Sequence, residues 1–316
     1  MKKIIYSLFL LISTTLFSQK KYTKEISLVD DNDLFTSIYN DRYYTNGLFI
    51  SYRYLSKKTS KKLDKKIIEW QIGHYMYTPY VAIISDVFLH DRPFAAYLYS
   101  SYGINYVFKN NQLLNASLQI GVIGSSAFGK ELQDFIHNIY NFKEAVGWKY
   151  QIKNALGINL NVDYTKFITK DSSNHFDINW VNTAKIGTIF IDISTGFYGR
   201  IGFNPLQKLS NSIAFHTNLN NQKTNYQRKA ESFIYIKPTV SYVLYDATIQ
   251  GSFLNKGSVV TKDLISLKFE LEIGFRFTVN RFNFGYFYHY HTNKIKNLRF
   301  NNGNYYGQVM INYLLH

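Results

Sequence analysis

Cysteine is absent from this 316-residue chain, and proline occurs only 4 times. The first absence excludes disulfide frameworks, thiolate zinc sites, iron–sulfur clusters and cysteine nucleophiles. Long apolar runs are missing too. None reaches the roughly 18 residues that a membrane-crossing helix needs, and the mean hydropathy is −0.20. Carboxylates are scarce, with 21 Asp+Glu against 36 Lys+Arg, for a formal net charge of +15. A nucleophile elbow, a phosphate-binding loop, an H-E-x-x-H zinc motif and a dinucleotide glycine fingerprint are all lacking.

Aromatic residues are plentiful: 28 Tyr, 25 Phe and 3 Trp, 18% of the chain. The hydrophobic fraction of 46% excludes disorder as the main state. An aromatic-rich, basic chain without long apolar blocks fits an antiparallel β protein with two differently solvated faces. Its N-terminus reads as an export signal. Lys2 and Lys3 precede an apolar run from Ile4 to Phe17, and Ser18 supplies a small residue near the break. Removing residues 1–18 takes away two lysines, lowering +15 to +13, and leaves 19–316 as one domain. No Pro-, Gly- or Ser-rich linker divides that part.

Short stretches of period-2 alternation recur, separated by Asn, Asp, Gly and Lys clusters. In Ser266 to Phe277, Leu267, Phe269, Leu271, Ile273, Phe275 and Phe277 share one face against Lys268, Glu270, Glu272 and Arg276. Gly157 to Phe167, Phe282 to Tyr290 and Tyr305 to Leu315 repeat the pattern. A soluble sandwich would give it as well, but the export signal and the aromatic supply favour a transmembrane antiparallel β-barrel. Strands of about 9–11 residues give roughly 10 to 14 of them. One stretch breaks the rhythm: Leu132, Phe135, Ile136 and Ile139 recur at helical spacing, so a short helix near 128–142 is inserted. Such a helix plugs, caps or catalyses.

Four features carry possible chemistry. Asp30-Asp31-Asn32-Asp33 follows the strand-like Ile26 to Val29, and reads either as oxygen ligands for a hard cation such as calcium or as a polar rim turn. Asn46-Gly47, after Thr45, reads as turn chemistry. His289 and His291 share a strand face, either as a metal-binding pair or as lumen histidines. His137 stands out among the eight histidines because Gln133 lies one helical turn before it. The basic surplus points to anionic lipid head groups and lipopolysaccharide phosphates, not to nucleic acid.

Five sequence blocks occur in order: Asp31-Asn32-Asp33-Leu34-Phe35, Asp41 to Gly47, Asp91 to Tyr99, Gly121 to Gly124, and Glu131-Leu132-Gln133 with His137 and then Gly147 to Gln151. Through them the chain resembles the outer-membrane lipid A 3′-O-deacylases, calcium-dependent barrel enzymes, from about Ile26 to its end. The resemblance implies a twelve-stranded barrel, all-β apart from its helix, in the outer membrane, with its active site near the extracellular-leaflet end. It implies catalytic roles for Asn32, Asp33, Thr45, Gln133 and His137. Calcium contacts fall on Asp33, Asn32 and an acidic position that lands on Glu144 when a one-residue gap is allowed. The implied substrate is an acyl ester of lipid A, with His137 activating water or Thr45 attacking directly, and the barrel is expected to act as a monomer. An outer-membrane phospholipase is the rival enzyme, but its His-x-Ser-Asn-Gly context is missing. A passive, non-enzymatic barrel is the other alternative.

Overall fold

The computed structural model describes residues 21–36, 42–57, 60–80, 83, 86–141, 143–224, 230–300 and 302–316. The expected leader, 1–18, lies outside the described residues. The alternation seen in the sequence becomes twelve strands. The first six are β1 Lys24–Asn32, β2 Tyr43–Leu55, β3 Leu63–Thr78, β4 Ala95–Phe108, β5 Gln112–Ile123 and β6 Ala155–Lys170. The other six are β7 Phe176–Gly187, β8 Phe190–Gly202, β9 Ser232–Asp246, β10 Leu267–Val279, β11 Phe282–His291 and β12 Asn304–Leu315. Each pairs antiparallel with its sequence neighbours, and β1 also pairs with β12, so Ile26 stands opposite both Tyr52 and Tyr313. Closure leaves no sheet edge, the condition for placing strands in lipid.

Side-chain alternation sets the two faces. On the outside, Ile50, Ile72, Ile120, Ile158, Ile193 and Ile234 are exposed. On the inside, Glu25, Ser27, Arg53, Ser101, Gln119 and Asn159 are buried. No helix among the described residues is long and apolar enough to cross a membrane; the wall is made of strands.

The termini share one end of the barrel, Lys24 facing Leu315. That end carries the short turns 109–111, 171–175 and 280–281, and the opposite end carries long connections such as 124–154, 247–266 and 292–303. In outer-membrane barrels short turns face the periplasm and long loops the exterior. Two connections depart from this rule: the two-residue turn 188–189 at the extracellular end and the long connection between β8 and β9. Between β8 and β9, Leu209, Ile213 and Leu219 fold back into the lumen among buried polar residues. There Lys65 Nζ donates to the Thr217 carbonyl (2.7 Å), and Arg200 meets both Asp177 and Glu231. The lumen is therefore plugged from the periplasmic end by this segment.

The inserted helix, α1, is Gly129–Tyr140; a single-turn helix, α2, covers Ala247–Gln250. The structure excludes a plugging role for α1. It lies against the outer face of β3 and β4, on the side opposite the lumen. Two local expectations also change. Asn46-Gly47 is not a turn but part of β2, where a Cβ on Gly47 would sit 2.1 Å from the Tyr44 hydroxyl that crosses it. Nor do the acidic residues after Val29 form one rim cluster. The strand runs on to Asn32, and its alternation sends Asp31 into the lumen, where it accepts from the Tyr44 hydroxyl (2.6 Å).

Candidate active site

On β1 the outward residues Ile26 and Leu28 are 46% and 44% exposed, and Asn32 continues that face. On β3 the outward series Trp70, Ile72, His74 and Met76 begins in the lipid-facing wall and ends beneath α1. On β2 simple alternation would turn Thr45 inward with Gly47 and Phe49. A β-bulge between Tyr44 and Asn46 prevents this. The extra residue re-aims the strand, so Tyr44 enters the lumen while Thr45 and Asn46 both reach the outer side. β2 also starts from Tyr43 at φ 67°, a left-handed conformation uncommon for a bulky residue and one that the packed surroundings must hold.

The helix closes over this patch because small residues let it approach. Ala96, Ala127 and Ala145 are fully buried beside Phe94, Met76 and Trp148. At Gly129 a Cβ would lie 2.5 Å from both the Ala96 Cβ and the Trp148 ring. The His74 Nε2 donates to the Ala127 carbonyl (2.8 Å), pinning the chain just before the helix to β3. Phe128 begins α1 at φ 57°, and Asn141 ends it at φ 55° with its N–H donating to the His137 carbonyl. The buried side of α1 carries Gln133, Ile136 and His137, while Phe128, Phe135 and Ile139 project outward at 58–63% exposure.

Between wall and helix is a cavity of about 20 Å³, lined by Asn32, Asp33, Leu34, Thr45, Asn46, Met76, Gln133, Ile136 and His137. That is room for about one water molecule. The fold thus brings together Asn32, Asp33, Thr45, Gln133 and His137, from the end of β1, the start of β2 and the distant α1. Glu144 does not join them. Its side chain is 68% exposed and paired with Lys130 at 3.2 Å, and Lys130 also pairs with Asp134. His289 and His291 lie on the lumen side, His289 stacked on Tyr306 at 4.5 Å. A larger cavity of about 440 Å³, lined by Asp31, Lys185, Lys268 and Glu270 among others, also belongs to the lumen, across the wall from this patch.

Hydrogen bonds fix which atoms each group presents. The His137 Nδ1 lies 2.6 Å from the Lys143 carbonyl, which only accepts, so Nδ1 carries the proton and Nε2 is the basic nitrogen of the neutral ring. The Gln133 Oε1 accepts from the Trp148 indole N–H (2.6 Å). Since indole only donates, the amide's NH2 end must point away from Trp148. The Asn32 Oδ1 accepts from the Leu34 N–H (2.8 Å), so its NH2 is again the end turned elsewhere. The Asp33 Oδ2 accepts from the Arg42 N–H (2.8 Å). The Thr45 hydroxyl shares a hydrogen bond with the Thr78 hydroxyl (2.7 Å). Trp148, Thr78 and the Lys143 carbonyl carry no signal of these roles in the sequence, because each acts through a neighbour chosen by the fold.

The oxygens left facing the cavity suit a hard cation: the Asp33 carboxylate and the Thr45 hydroxyl. No group of three His, Cys, Asp or Glu side chains poised around a metal occurs among the described residues, so water and substrate would complete any coordination shell. Arranged in this way, the patch can hold a water next to an imidazole base, with two amide NH2 donors and a carboxylate close by. A family model described as outer membrane protein LpxR matches residues 4–315. Among solved structures, LpxR from Salmonella typhimurium superposes with a TM-score of 0.73 at 20% identity, covering 92% of this chain and 99% of that one. The β domain of the Bordetella autotransporter BrkA gives a TM-score of 0.47 at 8% identity, covering 94% and 99%. A search of curated protein sequences finds no match.

Proposed function

The chain belongs to the LpxR family of outer-membrane proteins, the lipid A deacylases that its sequence blocks resemble, and on that premise we propose that it hydrolyses an acyl ester of lipid A, removing the 3′-acyloxyacyl chain. The observation that carries this reading is the convergence of Asn32, Asp33, Thr45, Gln133 and His137 on one water-sized cavity on the outside of the wall. A lumen enzyme would draw substrate from an aqueous channel. This site lies on the face of the wall that an outer-leaflet lipid would meet, beneath a helix whose Phe135 and Ile139 are exposed.

The reaction follows from the hydrogen-bond pattern. The Nε2 of His137 takes a proton from the water as that water attacks the ester carbonyl. Breakdown of the tetrahedral intermediate returns the proton to the departing sugar oxygen, giving a free fatty acid and a sugar hydroxyl. The NH2 groups of Gln133 and Asn32 donate to the oxygen on which charge develops. Thr45, held by Thr78, orients the water. Asp33 is the residue that would hold calcium, which when bound supplies positive charge beside the ester carbonyl. Water is preferred to Thr45 as nucleophile because the Thr45 hydroxyl is engaged by Thr78 and His137 is oriented by a carbonyl, not by a carboxylate.

Purified protein in detergent, given lipid A or a glycerophospholipid, tests this reading. It should release fatty acid from lipid A alone, stop when EDTA is added and resume on addition of calcium. Release from the phospholipid with lipid A left intact would replace this reading with that of a phospholipase.

A further inference from the structure

The two rims of the barrel differ in charge. At the periplasmic end the described surface carries exposed Lys57, Lys61 and Lys62 in the first turn, Lys109 in the second, Lys170 before the third and Lys223 in the plug segment. The carboxylates on that outer rim are few. Asp64 is half-buried, and Asp171 is occupied by its own turn, accepting from the N–H groups of Ser173 and Phe176. Asp177 and Glu231 are buried inside on Arg200. At the extracellular end, by contrast, Asp86, Asp91, Glu131, Asp134, Glu144 and Asp263 are interleaved with the basic residues.

A second observation places the basic rim at the level of lipid head groups. The outer wall just inside it is an aromatic girdle, the mark of a membrane–water interface. Tyr52 and Tyr54 lie 5.8 Å apart there, and Tyr164 meets Trp180 at 6.2 Å. Cations lie directly on that girdle. The Lys66 ammonium is 5.6 Å from the Tyr106 ring centre, and the Arg281 side chain hydrogen-bonds Tyr313 of the outer wall. Side chains placed like this rest their stems on rings and hold their charge among phosphates.

We propose that the periplasmic rim of this barrel is a binding surface for anionic phospholipid head groups, of the phosphatidylglycerol type, in the inner leaflet of the outer membrane. Continuity with the girdle favours lipid over a cell-wall polymer or an acidic protein, which would meet the turns but not the aromatic wall. The proposal depends on the membrane orientation of the barrel and not on the deacylase reading, and none of its readouts involves lipid A.

The test uses full-length protein in nanodiscs of phosphatidylcholine, with or without phosphatidylglycerol. Native mass spectrometry of the released protein should show phosphatidylglycerol retained several-fold over phosphatidylcholine, and the melting temperature should be higher in the mixed discs. Both differences should disappear in high salt, and in the variant carrying Lys57→Glu, Lys61→Glu, Lys62→Glu and Lys109→Glu. The salt series on wild-type protein keeps the test decisive if the variant does not fold. Equal retention of the two lipids by wild-type protein would overturn the proposal, as would undiminished preference in the folded variant. Pelleting with peptidoglycan that the variant loses, without any lipid preference, would assign the rim to the cell wall instead.

Discussion

At the scale of single residues, the site depends on groups that have already committed half of their hydrogen-bonding capacity. In the proposed reaction Gln133 serves as an oxyanion donor, its carbonyl end being held by Trp148. Gln133→Ala should therefore lower kcat by about 10²-fold, the usual consequence of losing one such donor. Trp148→Phe keeps a ring in the packed core but frees the amide to rotate, and should cost about tenfold, near the strength of one hydrogen bond. Steady-state kinetics with circular dichroism as a folding control checks both. Thr45→Ala separates the two nucleophiles. With water as nucleophile, the variant should retain measurable turnover, whereas His137→Ala should have none. Equal inactivity, with both variants folded, would transfer the attack to Thr45. The residue types of this set were legible in the sequence blocks. Which end of each amide faces the ester was not, because that depends on Trp148 and on the Leu34 N–H, which only the folded chain brings into contact.

At the scale of elements, three devices make the site: a bulge in β2, a helix packed on the wall, and a loop that returns to β4 through the Ile152 N–H and Phe94 carbonyl (2.9 Å). The helix depends most on its first residue. Gly129→Val adds atoms where a Cβ alone would stand 2.5 Å from Ala96 and Trp148. It should lift α1 off the wall and cut activity by about 10²-fold while the barrel stays folded, since an ångström of misplacement is enough. Red-shifted emission from the otherwise buried Trp148 would report the displacement, and unchanged emission with full activity would argue against it. Strand and helix existence was legible, because period 2 and period 3.6 leave different marks: Leu267 to Phe277 and Leu132 to Ile139 were recognised for that reason. The bulge was not. A single extra residue in an alternating strand inverts one side of the pattern, and Asn46-Gly47 imitated a turn. The resemblance puts Glu144 at the site across a one-residue gap, and a gap in a loop leaves a side chain's direction open; its carboxylate faces Lys130.

At the scale of the whole molecule, the wall separates two environments, and the candidate site sits on the lipid side. The lumen is plugged from the periplasmic end by the β8–β9 connection, tied through Lys65, Arg200 and the Arg276 bond to the Ile213 carbonyl (2.8 Å). In planar bilayers the protein should give no stepwise conductance, and steady channel openings would revive the passive-barrel alternative. Barrel closure was foreseeable from alternation together with the export signal. The side of the wall used by the site was not, because Asn32 and Asp31 are adjacent in sequence yet face lipid and lumen. The central claim is that this outward site, with His137 as its base, deacylates lipid A. Mass spectrometry of lipid A, from outer membranes containing either the wild-type protein or His137→Ala in equal folded amounts, tests it most directly. Loss of one acyloxyacyl unit with wild type alone is the predicted result; unchanged lipid A with wild type, or the same loss with His137→Ala, would contradict it.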